Sequence, residues 1–140
     1  MTPGRLRALA IAANAVTGLA VVLLPWYALD AYEPNGWDAT WWARGAAAAA
    51  LLAIVALRFH RFRLATLMAA VSAASIAWRV IQPPDFGFAF DGLTVSVSRQ
   101  AGCWVALGSS LLALLASARL GWARQAAPPP QAPESAAAAP

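Results

Sequence analysis

The sequence has one cysteine, Cys103, no lysine, and only 11% charged residues. A single thiol excludes an intramolecular disulfide framework and any CxxC metal or redox motif, and a free Cys of this kind is expected to pack as a small apolar group. So few charges in 140 residues leave too little polar surface to cover a water-facing globule. All ten basic residues are arginine, which with the abundance of alanine points to a GC-rich bacterial genome. They stand in short clusters between apolar runs and form no basic domain, which argues against nucleic acid and for contact with anionic lipid. No GxGxxG, P-loop, HExxH, GxSxG or zinc-ligand spacing occurs, so the common enzyme motifs are missing and no cofactor or metal is expected. No Asp, Glu, Lys or His lies deep in an apolar run, which is evidence against a proton-coupled pump.

What is present is apolar sequence in four runs long enough to cross a bilayer: Leu6 to Leu24, Trp41 to Leu57, Leu64 to Ile81, and Ala101 to about Leu120. Pro25 stops the first and Pro83-Pro84 follow the third, each removing backbone donors and restricting the residue before it. A secretory signal peptide is the rival reading of the first run, but the run is long for that purpose and no clean A-x-A site follows it. The short link Arg58-Phe59-His60-Arg61-Phe62-Arg63 folds the second and third spans into an antiparallel hairpin. With the N-terminus inside, seven arginines and Glu134 lie on the inner side, while Arg44, Arg79 and Arg99 share the outer side with Asp30, Glu33, Asp38, Asp85 and Asp91. That asymmetry predicts a multi-pass protein of the plasma (inner) membrane with both termini cytoplasmic. Residues 1–124 form the four-helix domain, and 125–140, rich in Ala and Pro, read as a disordered cytoplasmic tail.

Between the third and fourth spans, Phe86, Phe88 and Phe90 alternate with small residues, Asp91-Gly92 intervene, and Leu93, Val95 and Val97 alternate with Thr94, Ser96 and Ser98. Asp-Gly between alternating segments is the signature of a two-residue type I′ turn, so the expected fold is an all-α membrane protein, an up-down bundle of four transmembrane helices with an extracytoplasmic β-hairpin. A lone hairpin is marginal in water, so its apolar face must rest on the helix ends, the first loop, the lipid interface or a partner. Tryptophan gathers at the same side: Trp26, Trp37, Trp41, Trp42, Trp78 and Trp104 fall near the outer ends, and Trp122 alone near the inner. An aromatic belt is the default for all of them, and Trp37, being in the loop, is the best candidate for stacking on a ligand. The candidate partner-contact residues are therefore Trp37, Asp38, Phe86, Phe88, Phe90, Asp91 and Gly92. The five outer acids match no calcium-loop spacing.

Three polar residues inside the spans stand out as intramembrane contacts: Asn14, Arg44 and Arg79. Asn14 is expected to hydrogen-bond a neighbouring helix, and the two arginines, one turn inside their helix ends, to pair with outer acids. Small residues recur at four-residue spacing, as Ala65, Ala69, Ala73 and Ala77 and again as Gly102, Ala106 and Ser110, which allows close helix approach within the chain or between copies. His60, alone among arginines, reads as a surface residue.

Through Pro25-Trp26-Tyr27, Gly36-Trp37-Asp38-Ala39, Arg79 with Pro83-Pro84, and Gly102-Cys103-Trp104-Val105-Ala106-Leu107, the chain resembles small four-span membrane proteins of GC-rich Gram-positive bacteria, some of them called tryptophan-associated membrane proteins. The resemblance covers roughly Leu6 to Gly121; it implies the topology and transfers no catalytic or ligand residue. The expected function is that of a non-enzymatic accessory or assembly subunit that meets the lipid bilayer, a second copy of itself or another membrane protein. An oligomeric transporter or channel subunit is the alternative.

Overall fold

Thr2 and Pro3 open the first helix with two start signals at once: the Thr2 hydroxyl accepts from Arg5 N at 3.4 Å, and Pro3 takes the position where a missing N–H costs nothing. The computed structural model describes residues 1–28, 33–84 and 97–125. In chain order it has α1 (Pro3–Leu23), a two-residue strand β1 (Tyr27–Ala28), a single turn α2 (Gly36–Ala39), α3 (Trp41–Arg58), α4 (Phe62–Ile81), β2 (Ser98–Arg99) and α5 (Ala101–Gln125). Four of these helices are long and apolar enough to cross a membrane. The shortest of them, 18 residues, reaches about 27 Å at the α-helical rise, close to the thickness of a hydrocarbon core.

The spans lie where hydropathy puts them, with shifted ends. α1 begins three residues before Leu6 because of its cap, and α5 runs on through Gln125, a residue the sequence assigns to the tail. The expected Phe86 to Val97 hairpin, all but Val97, and residues 126–140 lie outside the described residues. α2 is absent from the sequence reading. It forms because Asn35 Oδ1 accepts from Asp38 N at 2.9 Å, and it is ended by Thr40, which in turn caps α3 through Trp42 N (3.0 Å) and Ala43 N (3.4 Å).

α1 packs on α3 and α5, and α4 packs on the same two helices. Their shared interior is made mostly of alanine, with Thr17, Ser72, Ser110 and Ser117 among it, while Leu19, Leu51, Leu67, Leu111 and Leu115 face outward. This inverts the order of a water-soluble core, where large apolar side chains go inside because their transfer from water drives folding. Where lipid is the solvent, leucine gains little by hiding, and small residues that let backbones approach gain dispersion energy instead. The expected stripes follow this rule with one drift. Gly102, Ala106 and Ser110 are all buried, as are Ala65, Ala69 and Ala73, but the 3.6-residue period then passes the buried position from Ala77 to Ile76 and Val80.

The polar interior departs from expectation at Asn14. Its amide donates to Ala10 O of its own helix at 2.8 Å instead of reaching a neighbour. In the interior, the bonds that cross helices among the described residues come from hydroxyls: Thr17 Oγ1 meets Ser109 Oγ at 2.8 Å between α1 and α5, and Ser72 donates to Ala46 O at 3.0 Å between α4 and α3. Short side chains win here because alanine-lined helices are already close enough for a hydroxyl to span the gap.

Candidate functional site

The end of the bundle where α1 and α4 finish and α3 and α5 begin is organised around Trp26. Pro25 cannot donate to Val21 O, so the chain leaves the helix and turns inward. Trp26 is fully buried, which corrects its expected place in the aromatic belt. Its ring lies against two glycines from distant segments. A Cβ on Gly36 would come within 2.5 Å of Trp26 Cε2, and one on Gly102 within 2.7 Å of Trp26 Cδ1. Every polar atom of the residue is engaged: Nε1 donates to Ala20 O (3.0 Å), the backbone N to Pro34 O (2.9 Å), and the carbonyl accepts from Gln100 N (2.9 Å) and from the Cys103 thiol (3.0 Å). Cys103 is thus the packed apolar thiol expected from the sequence, with one weak donor used.

Tyr27 follows Trp26 into the interior, its ring edge-on to the indole with centroids 6.5 Å apart. Its hydroxyl donates to Arg79 O at 2.9 Å, and burial raises the phenol's pKa, so it stays a donor. This contact belongs to a larger arrangement at the end of α4. Pro83 and Pro84 withhold the N–H groups that Arg79 O and Val80 O would otherwise receive. Tyr27 takes the first carbonyl; Arg99 takes the second through Nε (2.6 Å) and Ile81 O through Nη2 (3.4 Å); Arg79 Nη1 reaches Gln82 O at 3.3 Å. Two cations at a helix C-terminus also match the sign of its dipole. Tyr27 pairs with Arg99 and Ala28 with Ser98 in the antiparallel β1–β2 ladder, so the segment leading into α5 is fastened to the segment leaving α1.

Arg99 and Tyr27 were not among the sequence candidates; the signal for both was the double proline, whose orphaned carbonyls require donors from elsewhere. Arg79 is placed as expected, though among the described residues it meets a carbonyl and no carboxylate. The same holds for Arg44. Its Nε donates to Trp37 O at 2.7 Å, and its guanidinium carbon lies 5.4 Å from the centre of the Trp37 ring and 4.8 Å from that of Trp41. Cation–π contact and a carbonyl thereby hold the guanidinium, and they fix two indoles in place.

The surface that results is aromatic. Trp37 sits on α2, 43% exposed, and Trp41 and Trp42 at the start of α3 are 80% and 53% exposed. Asp38 is exposed beside Trp37. Trp78 and Trp104 add two further half-exposed rings at this end. Phe86, Phe88, Phe90, Asp91 and Gly92 lie outside the described residues. The described part of the face offers flat π surfaces, a guanidinium in contact with two of them, and the exposed carboxylates of Glu33 and Asp38, a set suited to stacking and hydrogen bonding. No protein family model, curated protein or solved structure matches this chain.

Proposed function

We propose that this chain is a four-span, up-down protein of the plasma (inner) membrane with cytoplasmic termini, and that it serves as a non-enzymatic accessory or assembly subunit whose tryptophan-rich outer end contacts a protein or envelope component. The Trp37–Arg44–Trp41 stack carries this reading. An indole that only marks the headgroup level needs no partner, whereas these two are held at fixed geometry by a shared guanidinium and remain open to the outside. Pre-ordering exposed aromatic rings lowers the entropy lost on binding, which is how a small face reaches useful affinity. The buried Trp26 and its two glycines give that face a rigid base. The likeness to tryptophan-associated membrane proteins belongs to the same proposal.

A photo-crosslinking residue placed at Trp37 or Trp41 in native membranes should yield a discrete protein or envelope adduct, while the same residue at Leu115, on the outward side of α5, yields lipid adducts alone. Lipid adducts alone at all three positions would refute the reading. Ion or solute flux through reconstituted protein, lost on replacing Arg79 or Asn14, would support a transporter or channel subunit in its place.

A further inference from the structure

The opposite end of the bundle carries a separate group of residues. Phe59, His60 and Arg61 join α3 to α4. His60 takes a left-handed backbone, φ 57°, and the turn closes on itself: Arg61 N bonds Ala56 O at 2.8 Å and His60 N bonds Leu57 O at 3.3 Å. This pair of backbone bonds satisfies Ala56 O and Leu57 O near the end of α3, so no arginine side chain of the turn is consumed in capping them. Arg61 and Arg63 are exposed, and neither guanidinium has a protein acceptor among the described residues. Arg7 is used differently. It ties α1 to the turn, donating from Nη2 to Arg58 O (3.1 Å) and from Nη1 to His60 Nε2 (3.2 Å), which obliges the imidazole to accept at that nitrogen.

Two hollows meet at Arg61. One, of about 470 Å³, lies between the turn and the end of α5 and is bordered by His60, Arg63 and Gly121. The other, of about 420 Å³, runs along the outer seam of α3 and α4 between Leu52, Val55 and Phe59 on one side and Leu64 and Met68 on the other. From Phe59 to Leu52 the seam descends two helical turns, or about 10 Å, from the arginines into the span. The described acids, Glu33 and Asp38, belong to the opposite end, so among the described residues the charge around both hollows is positive only.

We propose that this corner binds one anionic phospholipid, its phosphate held by Arg61 and Arg63 and one acyl chain lying in the α3–α4 seam. Charge complementarity selects an anion, and guanidinium forks match phosphate oxygens. Continuity of the cationic hollow with an apolar groove selects an amphiphile over a free phosphate, since a soluble anion leaves the groove unfilled. Leu52 and Leu64 are 54% and 48% exposed on the outside of the bundle, so the chain enters sideways from the bilayer. The proposal needs the protein to sit in a membrane but does not depend on any partner at the tryptophan end.

The test is native mass spectrometry of the detergent-purified full chain offered equal amounts of phosphatidylglycerol and phosphatidylcholine. The parent should retain one phosphatidylglycerol in preference to phosphatidylcholine. Arg61→Gln with Arg63→Gln should lower that retention about 30-fold, the effect of removing two arginines from an anionic headgroup. Arg5→Gln with Arg119→Gln removes the same charge from exposed positions that border neither hollow and should leave retention within about twofold. Val55→Trp, which fills the seam without changing charge, should also reduce retention, separating the acyl contact from the headgroup contact. Equal retention of the two lipids by the parent, or equal loss in both double variants, would overturn the proposal. So would a second copy of the chain covering the corner, seen as a dimer that excludes lipid, or glycerol phosphate competing as well as the intact lipid.

Discussion

The two ends of this bundle meet the same demand by opposite means. Helix termini leave carbonyls without partners, and in a bilayer each such group costs several kcal/mol. At the tryptophan end, Pro83 and Pro84 deepen the shortage, and side chains from two other segments fill it: Tyr27 from β1 and Arg99 from β2. At the arginine end the α3–α4 turn satisfies Ala56 O and Leu57 O through its own Arg61 N and His60 N, while Arg58 O takes a side chain, that of Arg7. The first solution ties α1, α4 and the approach to α5 together around the buried Trp26 and Tyr27. The second leaves Arg61 and Arg63 without a protein acceptor among the described residues and its surface hollow, at the cost of a non-glycine residue in a left-handed conformation. An end built from side chains is closed and intolerant of change, while an end built from backbone is open and tolerant.

Trp26→Ala should show the largest difference between the two. It empties a fully buried site and strips Ala20 O of the indole donor, so a loss of about 3 kcal/mol or more is expected, measured as a lowered unfolding midpoint in detergent. Trp122→Ala, at the other end and 71% exposed, should change the midpoint by no more than about 0.5 kcal/mol. Equal effects would erase the contrast. A smaller effect tests the strain at the arginine end. His60→Gly and His60→Ala both remove the imidazole and its contact with Arg7, but only glycine takes φ 57° freely, so the glycine variant should be more stable by about 1 kcal/mol in the same unfolding assay. Equal stabilities would mean that the turn relaxes and that the left-handed residue carries no cost.

The four spans were legible in the sequence because hydropathy over about 20 residues is a local property, and so was the packed thiol of Cys103. The start of α1 was written in Thr2-Pro3 as a capping signal but overridden by the hydropathy window. α2 is one turn long, too short for any periodicity, and only Asn35 three residues ahead of Asp38 hinted at it. The burial of Trp26 was not legible, because it depends on Gly36 and Gly102, which reach the ring only after α1, α3 and α5 have packed. The partner of Asn14 was hidden for a similar reason: whether a polar side chain bonds across helices or back onto its own is decided by helix separation, which alanine sets here. For Arg44 and Arg79 the positions were legible; among the described residues Arg44 meets a carbonyl and two indoles and Arg79 a carbonyl, while Asp30, Asp85 and Asp91 lie outside the described residues.

All of this presupposes that hydrocarbon is the solvent for the outward leucines. Spin labels placed singly at Leu51, Leu67 and Leu115 in a Cys103→Ser background, in lipid bilayers, test that most directly, because oxygen partitions into hydrocarbon and a nickel chelate into water. The expected result is high oxygen and low nickel accessibility at all three, with the reverse at Arg63. Nickel accessibility at the three leucine positions equal to that at Arg63 would contradict it.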